Sequence, residues 1–91
     1  MQTLKEAIRE IIQSIESGYY FDSHTVILLL LQKYHDTYLL GSKKHSTTEL
    51  YHAAISKMVK QNSDLVEDSK GESFSKNVLD NFSECHLWKR T

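Results

Sequence analysis

Three segments of helical period occupy the first two thirds of this chain and restrict what it can fold into. In the first segment, apolar residues recur every three or four positions from Leu4 to Ile15, which predicts one buried helix face. Thr3 and Glu6 form the capping-box pattern of a helix start, and a glycine stops the segment. We therefore predict a helix over residues 4–17.

The second segment contains a six-residue apolar run, residues 26–31. Periodicity alone also allows a buried strand here, but the run is rich in leucine and is continued by Tyr34 and Tyr38 at four-residue steps. The pattern therefore favours a helix from His24 to Leu40.

The third segment, residues 47–61, is predicted to be an amphipathic helix, with Ser46 and Glu49 as a second capping box. Its apolar face contains Leu50, Tyr51, Ala54, Ile55, Met58 and Val59. The opposite face contains Glu49, His52, Ala53, Ser56, Lys57 and Lys60. Such a helix buries one side and exposes the other to solvent or a ligand.

Short extended stretches complete the pattern. Residues 19–21 are β-favouring and too few for a helix. Residues 65–67 and 86–90 are expected to pair as an antiparallel hairpin across the turn-rich segment 68–84. The expected core is Ile8, Ile11, Ile27, Leu30, Tyr34, Leu50, Ala54, Ile55, Met58 and Trp88.

With 91 residues, the chain has room for one domain, residues 1–91. The charged N-terminus predicts no signal peptide, and the longest apolar run is too short to cross a membrane. Cys85 is the single cysteine, which excludes an internal disulfide and suits a reducing compartment. We expect a cytoplasmic protein.

No pattern predicts catalysis. The glycines at positions 18, 41 and 71 are isolated, so phosphate-binding loops are excluded. The tripeptide at residues 22–24 has the residue types of a catalytic triad, but adjacent residues do not form a relay, and helix capping explains them. The histidines and Cys85 lack the spacing of a zinc site. We expect no enzyme, metal, cofactor or small-molecule substrate.

The charge is unevenly distributed. The chain has a formal net charge of −1, but residues 43–62 alone carry +3 from Lys43, Lys44, Lys57 and Lys60 against one glutamate. The segments on either side each sum to −2. A local positive segment in an acidic chain indicates a binding surface for phosphate, or simply a solvated helix face.

The order helix, strand, helix, amphipathic helix, strand, turn-rich segment, strand resembles a winged-helix domain, a variant of the helix-turn-helix. The resemblance covers nearly the whole chain and implies a mainly α domain of three helices with a small β-hairpin. It also implies that helix 47–61 is the recognition helix and that segment 68–84 is the wing.

The resemblance implies a regulatory module that binds duplex DNA. The residues implied to contact DNA are Lys43, Lys44, Ser46, Thr47, Thr48, His52, Ser56, Lys57 and Lys60. Lysines and hydroxyls would contact phosphates, while His52 and Ser56 would approach base edges.

The alternative function is a protein-interaction module without nucleic-acid binding, because the turn-rich segment is acidic and the recognition helix has no arginine. Leu29 and Leu40 lie nearly opposite the main apolar face of the second helix. We expect them to form the interface of a homodimer or of a complex with a protein partner.

Overall fold

A computed structural model describes residues 3–76 and 82–91, with side chains for residues 3–68 and 86–91. The elements are α1 (Leu4–Ser14), β1 (Tyr20–Asp22), α2 (Ser23–Lys33), α3 (His35–Ser42), α4 (Thr48–Lys60), β2 (Val66–Lys76) and β3 (Phe82–Arg90). The predicted fold class, mainly α with a small antiparallel β-structure, is confirmed.

The three strands form one antiparallel sheet in the order β1-β3-β2. The predicted hairpin is confirmed: Val66 pairs with Arg90, and both strands continue beyond the predicted ranges, to Lys76 paired with Phe82. The tip of the predicted wing, residues 77–81, lies outside the described residues. This arrangement of helices and strands is compatible with a winged-helix domain.

The second predicted helix is two helices, which corrects the expected count from three to four. Tyr34 separates α2 from α3 with φ −132° and ψ 45°, outside the helical region. The Tyr34 hydroxyl donates to Glu10 of α1 at 2.7 Å. Neither proline nor glycine lies at the break, so the sequence carries no local signal for it.

The first helix begins with the predicted capping box, since Thr3 accepts from the Glu6 amide at 3.2 Å. It ends at Ser14, earlier than predicted. The Ile12 carbonyl near this end accepts from the Ile15 amide at 3.0 Å and also from Arg90 of β3 at 3.1 Å. Gly18, at φ +91°, belongs to the turn into β1, where its amide donates to the Arg90 carbonyl.

Most of the predicted core is confirmed. Ile8, Ile11, Ile27, Leu30, Ile55 and Trp88 are buried, and Tyr34, Ala54 and Met58 are half-buried. Leu50 was wrongly placed in the core, since it is 55% exposed. The buried face of α4 is centred on Tyr51, Ile55 and Val59 at four-residue spacing, which leaves Leu50 about 100° around the helix from Tyr51.

Tyr51 joins α4 to α3. Its ring is buried, and its hydroxyl donates to the Tyr38 carbonyl at 2.7 Å. Gly41 permits the close approach of the Tyr51 ring to α3, because a Cβ at that position would overlap the Tyr51 hydroxyl. Gly41, which follows the predicted end of the second helix, thus lies within α3 and serves its close packing against α4.

We predict that Ile55→Ala lowers the free energy of unfolding by about 2–5 kcal/mol, because it empties a fully buried aliphatic site. Leu50→Ala, on the exposed side of the same helix, should change it by less than about 0.5 kcal/mol. Chemical denaturation of both variants checks this, and equal losses would contradict the orientation of α4.

Candidate nucleic-acid interface

The candidate surface begins at the start of α4. Thr47 is the N-cap, and its side-chain oxygen accepts from the Leu50 amide at 3.1 Å. The expected capping box of Ser46 and Glu49 was therefore wrong by one residue, because a cap at Thr47 places a leucine at the position where a box requires a carboxylate. Ser46 and Thr48 are exposed beside the cap.

All four lysines of the positive segment are exposed. Lys43 and Lys44 lie in the turn that follows α3, and Lys57 and Lys60 lie in the last turn of α4. Their ammonium groups form no hydrogen bond or ion pair within the described part of the chain. These cations therefore remain available to a ligand.

The two residues expected to approach base edges are turned toward the protein. His52 Nε2 lies 2.7 Å from the Tyr38 hydroxyl of α3, within hydrogen-bonding distance. The Ser56 hydroxyl donates to the Ser23 hydroxyl oxygen at 2.9 Å. Both residues are half-buried, so they lie beside the contacts of α4 with other helices, away from its most exposed face.

Ser23 connects three elements. It is buried at the start of α2, and its hydroxyl oxygen accepts from Ser56 of α4 and from Trp88 Nε1 of β3 at 3.3 Å. Asp22 is the N-cap of α2 and accepts from the Thr25 amide at 2.8 Å. The structure thus confirms that Asp22 caps a helix, and it shows that Ser23 makes hydrogen bonds to two other elements.

Burial lowers the pKa of His52 below its usual value, and the nearby His24 lowers it further, while the carboxylate of Glu49 opposes the shift. A neutral imidazole can accept a hydrogen bond from the Tyr38 hydroxyl at Nε2. A protonated imidazole can only donate from Nε2 to the Tyr38 oxygen, so protonation reverses that hydrogen bond. The histidine therefore favours its neutral form in the fold.

The two residues of the expected dimer interface differ in exposure. Leu29 is half-buried and packs against the core, whereas Leu40 of α3 is 42% exposed. Leu28, Leu39 and Leu50 are also exposed. The accessible apolar surface on these helices therefore includes more residues than the sequence pattern singled out.

Membrane-spanning helices and metal centres are two other features that would point to a function. Within residues 3–76 and 82–91, no helix combines the length and apolar character required to span a membrane. Among the same residues, no group of three His, Cys, Asp or Glu side chains is arranged to bind a metal ion.

Comparison with known proteins gives no relative: no family model, curated protein or solved structure matches this chain.

We predict that the stability of the protein falls as the pH is lowered from about 7.5 to about 5, with His52 contributing to the loss. A lowered pKa means that the unfolded chain binds a proton more readily than the folded one, so acid favours unfolding. Denaturation of His52→Gln should show a smaller pH dependence than the wild type. His35→Gln, which changes an exposed histidine of α3, is the control, and an equal effect of both variants would contradict this prediction.

Proposed function

We propose that this protein is a winged-helix module that binds duplex DNA and regulates processes on it, such as transcription, with α4 as the recognition helix. The observation that carries the proposal is the set of four exposed lysines, Lys43, Lys44, Lys57 and Lys60, which have no hydrogen bond or ion pair among the described residues. Lysines on an exposed helix and its preceding turn can neutralise backbone phosphates and release condensed counterions.

The order of the elements supports the same proposal. The helix α4 follows a positively charged turn and packs against a three-stranded sheet in the order β1-β3-β2. This arrangement suits insertion of α4 into the major groove. Ser46 and Thr48 are exposed at the start of this helix and can donate to a phosphate oxygen, while Thr47 caps the helix. The acidic remainder of the chain would favour contact through the lysine-bearing segment, residues 43–62.

We predict that a Lys57→Glu, Lys60→Glu double variant folds normally, because both lysines are exposed. The variant should bind duplex DNA more weakly at every sequence, because it loses contacts to backbone phosphates. The slope of log affinity against log salt should fall by about 0.9 for each phosphate that the variant no longer neutralises. Gel shifts over a salt series starting near 50 mM measure both quantities, since electrostatic attachment is strongest at low salt.

The matched control is Lys5→Glu, Lys33→Glu, which makes the same change in net charge at exposed positions of α1 and α2. The control should bind more tightly than the α4 variant at every salt concentration. Equal losses would show that net charge alone matters, and absence of duplex binding by the wild type at low salt would contradict the proposal.

The exposed leucines favour a second candidate function, a protein-interaction module. Leu39 and Leu40 of α3 are both more than two-fifths exposed, and an isologous dimer is a common way to bury such side chains. In this candidate, Leu40 and the accessible edge of Leu29 contribute to the two-fold contact.

We predict for this candidate that the wild type dimerises at high micromolar concentration and that Leu40→Lys is monomeric, because a buried lysine without a partner opposes association. Tyr19→Lys, at an exposed position between α1 and β1, is the control and should remain dimeric. Light scattering distinguishes these outcomes, and a monomeric wild type would exclude the dimer.

A further inference from the structure

The most exposed side of α4 carries a row of side chains that differs from the one expected to contact bases. Glu49, Ala53 and Lys57 follow one another at four-residue spacing, and all three are exposed. The row spans about 12 Å of helix, comparable with three to four base-pair steps of about 3.4 Å. His52 and Ser56 lie to one side of it, with their polar groups directed to Tyr38 and Ser23.

The position of the N-cap leaves Glu49 available. In α1, the carboxylate of Glu6 is held by the Thr3 amide and hydroxyl in a capping box. In α4, Thr47 is the cap, so Glu49 lies one residue too early to close the equivalent box. Its carboxylate forms no hydrogen bond or ion pair with the described part of the chain.

We propose that Glu49 and Ala53 determine the sequence preference of the DNA complex, with Glu49 selecting a cytosine in the major groove, while Lys57 at the end of the same row binds a backbone phosphate. The inference rests on the proposed function, because it requires α4 to enter that groove. A carboxylate oxygen accepts a hydrogen bond from the cytosine N4 amino group, and the alanine methyl group can contact the thymine methyl group.

The negative charge of Glu49 weakens the attraction to DNA, and this effect makes its role testable. Glu49 repels every phosphate near it, so a surface that used only electrostatic attraction would bind more tightly without it. Facing a cytosine, it gains a charge-assisted hydrogen bond and discriminates against bases that offer only acceptors at that point. Removal of the charge should therefore raise the affinity for random DNA while it lowers selectivity.

The test is selection of preferred sites from a random duplex library by the wild type, Glu49→Gln and Glu16→Gln. Glu16→Gln makes the same change at an exposed position between α1 and β1 and serves as the control. The wild type and the control should enrich a cytosine at one position. Glu49→Gln should lose this preference by about tenfold and enrich adenine there, because glutamine pairs with adenine N6 and N7. Thermal melting establishes that each variant is folded.

The outcomes separate the inference from the function on which it rests. If Glu49→Gln selects the same sites as the wild type, or only binds all duplexes more tightly, Glu49 does not read a base, although the duplex-binding function stands. A wild type that binds DNA without sequence preference likewise overturns the inference alone. If the wild type binds no duplex, the proposed function and the inference fail together.

Discussion

The hydrogen bonds to Ser23 fix the relation of the candidate recognition helix to the rest of the fold. A single buried hydroxyl oxygen accepts from Ser56 of α4 and from Trp88 of β3, so α2, α4 and the central strand meet at one atom. The indole N–H would be costly to leave unpaired, because Trp88 is buried. The Ser56 hydroxyl is directed to the same oxygen, so in the proposed DNA complex the bases would be contacted by the more exposed row of α4 beside it.

The sequence was sufficient to predict the elements with strong local signals. Three such predictions are confirmed in the structure: capping at Thr3, the amphipathic pattern of the third predicted helix, and the pairing of residues 65–67 with 86–90. Each was based on neighbouring residues or on the alternation of polar and apolar positions. The break at Tyr34 was not predictable from local signals, because no helix-breaking residue lies there. Its contact with Glu10 depends on the packing of α1 against α2.

The sequence pattern missed two features of the candidate site: the position of the N-cap and the partners of His52 and Ser56. Three consecutive hydroxyl residues, at positions 46–48, each can cap a helix, and the pattern Ser46 with Glu49 selected the wrong one. Helical spacing placed His52 and Ser56 on the polar face, but a polar residue at the boundary of that face can satisfy its hydrogen bonds inside the protein. The partners, Tyr38 and Ser23, are distant in sequence, so only the tertiary structure shows them.

The number of lysines in the candidate surface limits how tightly the protein could bind DNA in the presence of salt. Four lysines that each neutralise one phosphate give a salt slope near −3.6, so their contribution to affinity falls roughly a hundredfold between 50 and 200 mM salt. A monomer with these contacts alone would bind weakly at cellular ionic strength. Two features can offset this loss: exposed leucines on α3 that could join two copies on one duplex, and the proposed base contact of Glu49, which would add a hydrogen bond that depends little on salt. A homodimer is therefore compatible with the proposed DNA binding, because dimerisation through α3 would double the number of phosphate contacts available to α4.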